Sequence, residues 1–247
     1  MEVIRINENT WRFEEEGVRF FLLAGSLKAL MIDSGMMTPN ARELAEGVLA
    51  EYAAETGGEA LPLELLNTHA DPDHLSGNAA FAQFYMHPAE CYNFYKSGRP
   101  GHVPFSFGNG EIVPVWDGEV LDLGGRELEI IALPGHTPGS IAVLDRALRV
   151  LISGDPIQEH GRIFMFGAHR SMQDYIRSLE RLADLTDGFD EIWPSHGDIP
   201  IAPDVIPRLI AGARRILAGD AEGKAQEVFG NTIAAYDLGF TTFLCDK

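Results

Sequence analysis

Four short apolar runs in this 247-residue chain each stop on a residue able to bind a metal or move a proton. PLELLNT ends at His69, ELEIIALPG at His136, RVLISG at Asp155 and DEIWPS at His196. Short apolar runs bounded by turn residues read as buried strands, so these polar residues fall on loops at strand ends, where sites are commonly built. Three of the eight histidines end these runs, and a fourth, His74, follows in the first loop.

The first loop is the densest. Within NTHADPDHLSG, residues 67–77, stand His69, Asp71, Asp73 and His74. Residues two apart on an extended segment share a side, so His69 and Asp71 can face one ion. Asp73 and His74 are neighbours that normally diverge, and a turn into a helix at Leu75-Ser76-Gly77 would make them converge. Gly135, Gly139 and Gly154 would let the backbone pass close to bound ions. LELLNTHADPDH and LEIIALPGHTPGS echo one another, each running from a Leu-Glu-apolar strand into a histidine loop.

The rest of the chain alternates strands and helices. Residues 18–33 read as a hairpin joined at Gly25-Ser26, and 39–56 as a helix. Short helices are expected at 78–84 and 89–95 around a strand near FYMH, then a loop over 98–110. Strands come next in EIVPVW, EVLDL, ELEIIAL, SIAVLD and RVLIS. A helix from Ser171 has a capping-box-like Ser171/Asp174 pair and an apolar stripe of Met172, Tyr175, Ile176, Leu179 and Leu182. FDEIWPS is a further strand, a helix starts near Asp204, and the close reads as a helix turn and a strand. No linker divides the chain, so a single domain over 1–247 is expected.

Composition narrows the function. A net charge of −18 repels phosphate backbones and anionic lipid, which excludes nucleic acid and membrane as partners and leaves a small molecule. The greasiest segment, FFLLAGSLKALMI, is broken by Gly25, Ser26 and Lys28 and is too interrupted to span a bilayer. Two distant cysteines, Cys91 and Cys245, and the lack of a signal-like start point to a reducing, cytoplasmic setting. Oligomeric state has no signature.

In the order His69-Ala-Asp71-Pro-Asp73-His74, PGHTPGS, SGD and PSHGD, with Asp33 in LMIDSG, the chain resembles the metallo-β-lactamase superfamily. The resemblance implies a four-layer αββα sandwich of the α/β class with a two-metal site at one sheet edge. It places His69, Asp71 and His136 on the first ion, Asp73, His74 and His196 on the second, and Asp155 between them. Asp33 would accept a hydrogen bond that fixes a ligand histidine.

The family pattern is HxHxDH, and here Asp71 stands in the second histidine's place. Asp71, Asp73 and Asp155 then carry three negative charges; with a hydroxide they balance two divalent ions, whereas a histidine at 71 would leave one positive charge. Bound water should be less acidified, and iron or manganese should compete better with the family's usual zinc.

The implied chemistry is hydrolysis of an ester, thioester, lactone or amide of a small molecule, with Asp73 shuttling a proton. The alternative is a flavodiiron-like di-iron oxidoreductase, reducing oxygen or nitric oxide with a separate electron donor. A glutathione-thioester hydrolase would be expected to carry an added helical domain, for which the tail after Ile201 looks short. Candidate substrate contacts are His160, Arg162, His169 and Arg170, with Phe164 and Phe166 beside them and His102, Phe105 and Phe107 on an opposite rim.

Overall fold

The computed structural model describes residues 1–91, 108 and 110–247, and the chain forms two compact units, 1–130 and 131–247. The expected segments at 92–107 and Asn109, including His102, Phe105 and Phe107, lie outside the described residues.

The first unit is organised by a seven-stranded sheet in chain order: β1 (Glu2–Asn7), β2 (Thr10–Glu15), β3 (Val18–Ala24), β4 (Ala29–Ile32), β5 (Leu63–Leu66), β6 (Gln83–Met86) and β7 (Glu111–Pro114). The first four strands run antiparallel and the last four parallel. Parallel pairing of β4 with β5 requires a crossover, supplied by α1 (Ala41–Thr56). This helix turns Ala41, Ala45, Leu49 and Ala53 inward at four-residue spacing, and the small alanines let it lie close to its neighbours. Its buried stripe joins one core with Phe13, Phe20, Leu22, Met31, Leu65 and Phe84. Next comes a hairpin of β8 (Val120–Asp122) and β9 (Glu127–Ala132), with β9 running two residues into the second unit.

In the second unit β11 (Val150–Gly154) pairs antiparallel with β10 (Ile141–Asp145) and parallel with β13 (Glu191–Pro194). Both β10 and β11 are buried along their whole length, as continuous apolar runs require. Helix α2 (Met172–Ala183) begins where the Ser171 hydroxyl accepts the Asp174 N–H at 3.2 Å. It shares a core with α3 (Val205–Ala218) through Tyr175, Leu179, Leu182, Val205, Leu209 and Ala213. A separate four-stranded sheet orders β12 (Arg162–Met165), β16 (Thr242–Cys245), β15 (Asn231–Asp237) and β14 (Lys224–Val228).

The structure corrects three expectations. Residues 78–84 form one 3-10 turn, Asn78–Ala80, before β6 begins at Gln83, because buried Phe84 and Met86 alternate with exposed Gln83 at a strand's period of two. The close of the chain is a strand pair, β15 and β16, with no helix turn. The stretch after Asp155, to which the sequence assigned no regular element, contains β12, whose Ile163 and Met165 are buried. Residues 20–32 are the β3–β4 hairpin, and among the described residues no helix is long and apolar enough to cross a membrane.

Candidate metal centre

In the first unit the polar residues leave the carboxyl ends of two parallel strands, the usual ligand edge of such sheets. Ile32 and Leu66 are paired at those ends, and the Asp33 N–H donates to the Leu66 carbonyl at 2.8 Å. Asp33 is buried with φ +64°, a backbone setting seldom adopted outside glycine, asparagine and aspartate. Its carboxylate accepts three hydrogen bonds. Oδ1 takes the Thr68 N–H at 2.7 Å, and Oδ2 takes the Thr68 hydroxyl at 2.7 Å and His74 Nδ1–H at 2.8 Å.

With its proton committed to Asp33, the Thr68 oxygen accepts Nδ1–H of His69, 3.0 Å away. One carboxylate thus fixes two fully buried imidazoles, His74 directly and His69 through Thr68, and both are left to present Nε2. The turn that brings Asp73 beside His74 is a 3-10 turn at Pro72–His74, earlier than the expected 75–77. Polar neighbours pin it: Asn67 Nδ2 and the Ser34 hydroxyl both donate to the His74 carbonyl, at 3.0 and 3.1 Å. Buried Glu90 accepts the Ala70 N–H at 2.9 Å, holding the backbone between His69 and Asp71.

The second unit repeats the strand-end device. Gly154 and Pro194 pair at the ends of parallel β11 and β13, with Asp155 and His196 just beyond them. Asp155 is buried and faces a histidine with each oxygen: Oδ2 lies 3.6 Å from His136 Nε2 and Oδ1 3.2 Å from His196 Nε2. His136 is fixed by its Nδ1–H donating to the Phe164 carbonyl at 2.8 Å. Arg170 Nη1 donates to the His136 carbonyl at 2.6 Å and lies 3.1 and 3.2 Å from the two ring nitrogens, over the ring rather than on one lone pair. Gly135 has φ +138°, and a Cβ there would sit 2.3 Å from the Tyr175 backbone nitrogen. Its bare Cα therefore makes room for the first turn of α2, not for an ion.

The donor set fits divalent metal. Ligands about 2.1 Å from a tetrahedral ion stand roughly 3.4 Å apart. His69 Nε2 is 3.6 Å from Asp71 Oδ2, and His74 Nε2 is 3.7 Å from Asp73 Oδ2. With the Asp155 distances, each unit holds two imidazole–carboxylate pairs at ligand spacing. Three of the four exceed hydrogen-bond length, as groups arranged around a cation do.

The remaining candidates scatter. His160 is exposed and its Nδ1 bonds Asp198 at 2.7 Å, which raises its pKa through that hydrogen bond and the carboxylate's charge. Arg162 and His169 are exposed, while half-buried Arg170 is engaged with His136 and the Phe166 carbonyl. Burial pushes the Cys245 thiol up to about 12, which leaves it protonated and inert near neutrality. Sequence reasoning missed Thr68, Glu90 and the Phe164 carbonyl. None of the three carried a clear signal: Thr68 lies two residues past the end of β5, and Glu90 and a backbone carbonyl leave no pattern.

The model of the "Metallo-beta-lactamase superfamily" matches residues 15–196. The "Acyl-coenzyme A thioesterase MBLAC2" of Bos taurus is 29% identical over 211 residues, covering 75% of each chain. A "Hydroxyacylglutathione hydrolase" of Gloeobacter violaceus is 33% identical over 135 residues, covering 53% of this chain and 48% of its own. Among solved structures, a beta-lactamase domain protein from Burkholderia ambifaria has a TM-score of 0.67 at 17% identity, over 92% of this chain and 81% of that one. A metallo-beta-lactamase from Pontibacter korlensis has a TM-score of 0.66 at 17% identity, over 86% and 98%. These likenesses show the α/β metallo-β-lactamase fold.

Proposed function

The chain belongs to the metallo-β-lactamase superfamily, and from that premise we propose that it is a dinuclear metallo-hydrolase of small acyl thioesters or esters. His69, Asp71 and His136 would hold one divalent ion, Asp73, His74 and His196 the other, and Asp155 would bridge them. The observation that carries the reading is the ligand spacing of the imidazole–carboxylate pairs, delivered in each unit from the ends of parallel strands. The family match spans all seven residues in chain order, and relatives named as a thioesterase and a hydroxyacylglutathione hydrolase support a thioester.

When bound, such ions make a water nucleophilic near neutral pH and polarise the carbonyl under attack. The chain's own groups do the rest. Asp33 and Thr68 keep the Nδ1 protons of His74 and His69 in place, so each ring would offer Nε2 to an ion. The Phe164 carbonyl does the same for His136. Asp73, whose side chain is 24% exposed, carries the proton on Oδ1 from the attacking water to the leaving group at the solvent boundary. Asp71 adds an anionic oxygen where the family has a nitrogen, which favours iron or manganese beside zinc.

The test is a panel of thioesters, esters, lactones, β-lactams and phosphodiesters, assayed after chelation and after return of zinc, iron or manganese singly. Metal-dependent cleavage of acyl thioesters or esters is expected, and substitution of His136 or Asp155 by alanine should abolish it. Cleavage indifferent to chelation, or oxygen uptake with a reductant and no acyl hydrolysis, would overturn the reading.

A further inference from the structure

The hairpin of β14 and β15 turns on two residues, Phe229 and Gly230, between paired Val228 and Asn231. Both have positive φ, +49° and +76°. That is the geometry of a two-residue primed turn, which strongly prefers Asn-Gly. A bulky aromatic in the left-handed region is a true outlier, and strain of this kind is a motive to look for function. Phe229 is also 82% exposed, so burial does not compensate the strain.

The ring does not stand alone. It meets Phe164 edge to face at 6.1 Å and 71°, and Phe164 meets Phe166 at 5.6 Å and 77°. Ile163 and Met165 turn into the core, which sends Phe164 to the opposite face of β12. This aromatic row is built on the backbone that holds a ligand histidine. The Phe164 carbonyl accepts Nδ1–H of His136, and the Phe166 carbonyl accepts Nε–H of Arg170, whose Nη1 reaches the His136 carbonyl.

We propose that Phe229, Phe164 and Phe166 form the wall that receives the apolar acyl chain of the substrate. Resting on the hydrolase reading above, this makes Phe229 a specificity-determining residue. Continuity with His136 identifies the occupant. An acyl carbon held beside that histidine would carry its hydrocarbon tail along the neighbouring surface, and here that surface is aromatic. Rigid rings suit an alkyl chain, offering large apolar area at little entropic cost.

Phe229→Asn tests the proposal without endangering the fold, because Asn-Gly is the preferred pair for this turn. The variant should melt no lower than the parent. The ratio of kcat/KM for dodecanoyl over acetyl N-acetylcysteamine thioester should fall about tenfold, the scale of a lost aromatic contact, mainly through a higher KM. Dodecanoate, measured by calorimetry on the full chain, should bind about tenfold more weakly. An unchanged chain-length ratio with unchanged dodecanoate binding overturns the wall even where hydrolysis is found. If no acyl substrate is cleaved, the hydrolase reading falls and dodecanoate binding alone decides the wall. A change in sedimentation with neither of the other effects would assign Phe229 to contact between copies, and would also overturn it.

Discussion

The two units hold their histidines by different means. In the first, a single buried carboxylate, Asp33, anchors His74 directly and His69 through the Thr68 hydroxyl. In the second, His136 is anchored by a backbone carbonyl, that of Phe164. A carboxylate acceptor strengthens the ligand more than a neutral carbonyl does, because charge assists the hydrogen bond. It is also exposed to mutation at one position, whereas a carbonyl survives any side-chain change. The first edge concentrates its risk in one residue, and the second spreads its support along a strand.

Substitution should reveal that contrast, and the largest effect belongs to Asp33. Asp33→Asn removes the charge that orients two proposed ligands, and metal affinity should drop about 10- to 100-fold in competition with a chelating dye. Phe164→Ala, by contrast, keeps its carbonyl and should hold metal nearly as tightly as the parent. Equal losses in the two variants would erase the distinction.

Gly135→Ala probes the second unit's backbone. A Cβ 2.3 Å from the Tyr175 nitrogen, at a φ only glycine favours, forces α2 to shift. Urea unfolding should show a loss of about 2–4 kcal/mol.

Thr68→Val cuts the relay to His69 while leaving the His74–Asp33 bond. The expected loss is about tenfold in affinity at one of two metals, with Thr68→Ser restoring it. Loss at both sites together would show that Thr68 supports the fold and not one ligand.

The smallest effect concerns the exposed His160–Asp198 pair. Its raised pKa means that the charged imidazole is favoured in the folded state. Any stability it adds is complete below the ordinary value of 6.5 and lost as pH climbs through the raised one. NMR titration should place His160 above 6.5, and Asp198→Asn should bring it back towards 6.5.

These contrasts also mark how far the sequence could be read. The strand-end histidines were legible because short, mostly apolar runs such as LELL and VLIS, bounded by turn residues, read as buried strands, which puts the polar residues just past their ends at a sheet edge. Asp33 was reached through the family resemblance, which sets it at the end of the hairpin. Thr68 was hidden because a hydroxyl beside a histidine has no preferred role until a carboxylate arrives 35 residues away in sequence. The Phe164 carbonyl was hidden for a deeper reason, since backbone acceptors leave no mark on composition. Of the closing pair, β16 was expected and β15 was missed, because Ala234 and Ala235 weaken the alternation that β15 relies on. Glycine at 135 was noticed, but its partner proved to be a helix, a long-range packing fact that no local pattern contains.

The proposed hydrolase needs its seven candidate ligands to serve one pair of ions. Elemental analysis of the purified chain, beside its Asp155→Ala and His74→Ala variants, tests this most directly. About two divalent ions per chain are predicted for the parent. His74→Ala should retain about one, and Asp155→Ala, lacking the bridge, one or none. Full metal content in Asp155→Ala, or a parent chain that binds no transition metal after exposure to zinc, iron and manganese, would contradict it.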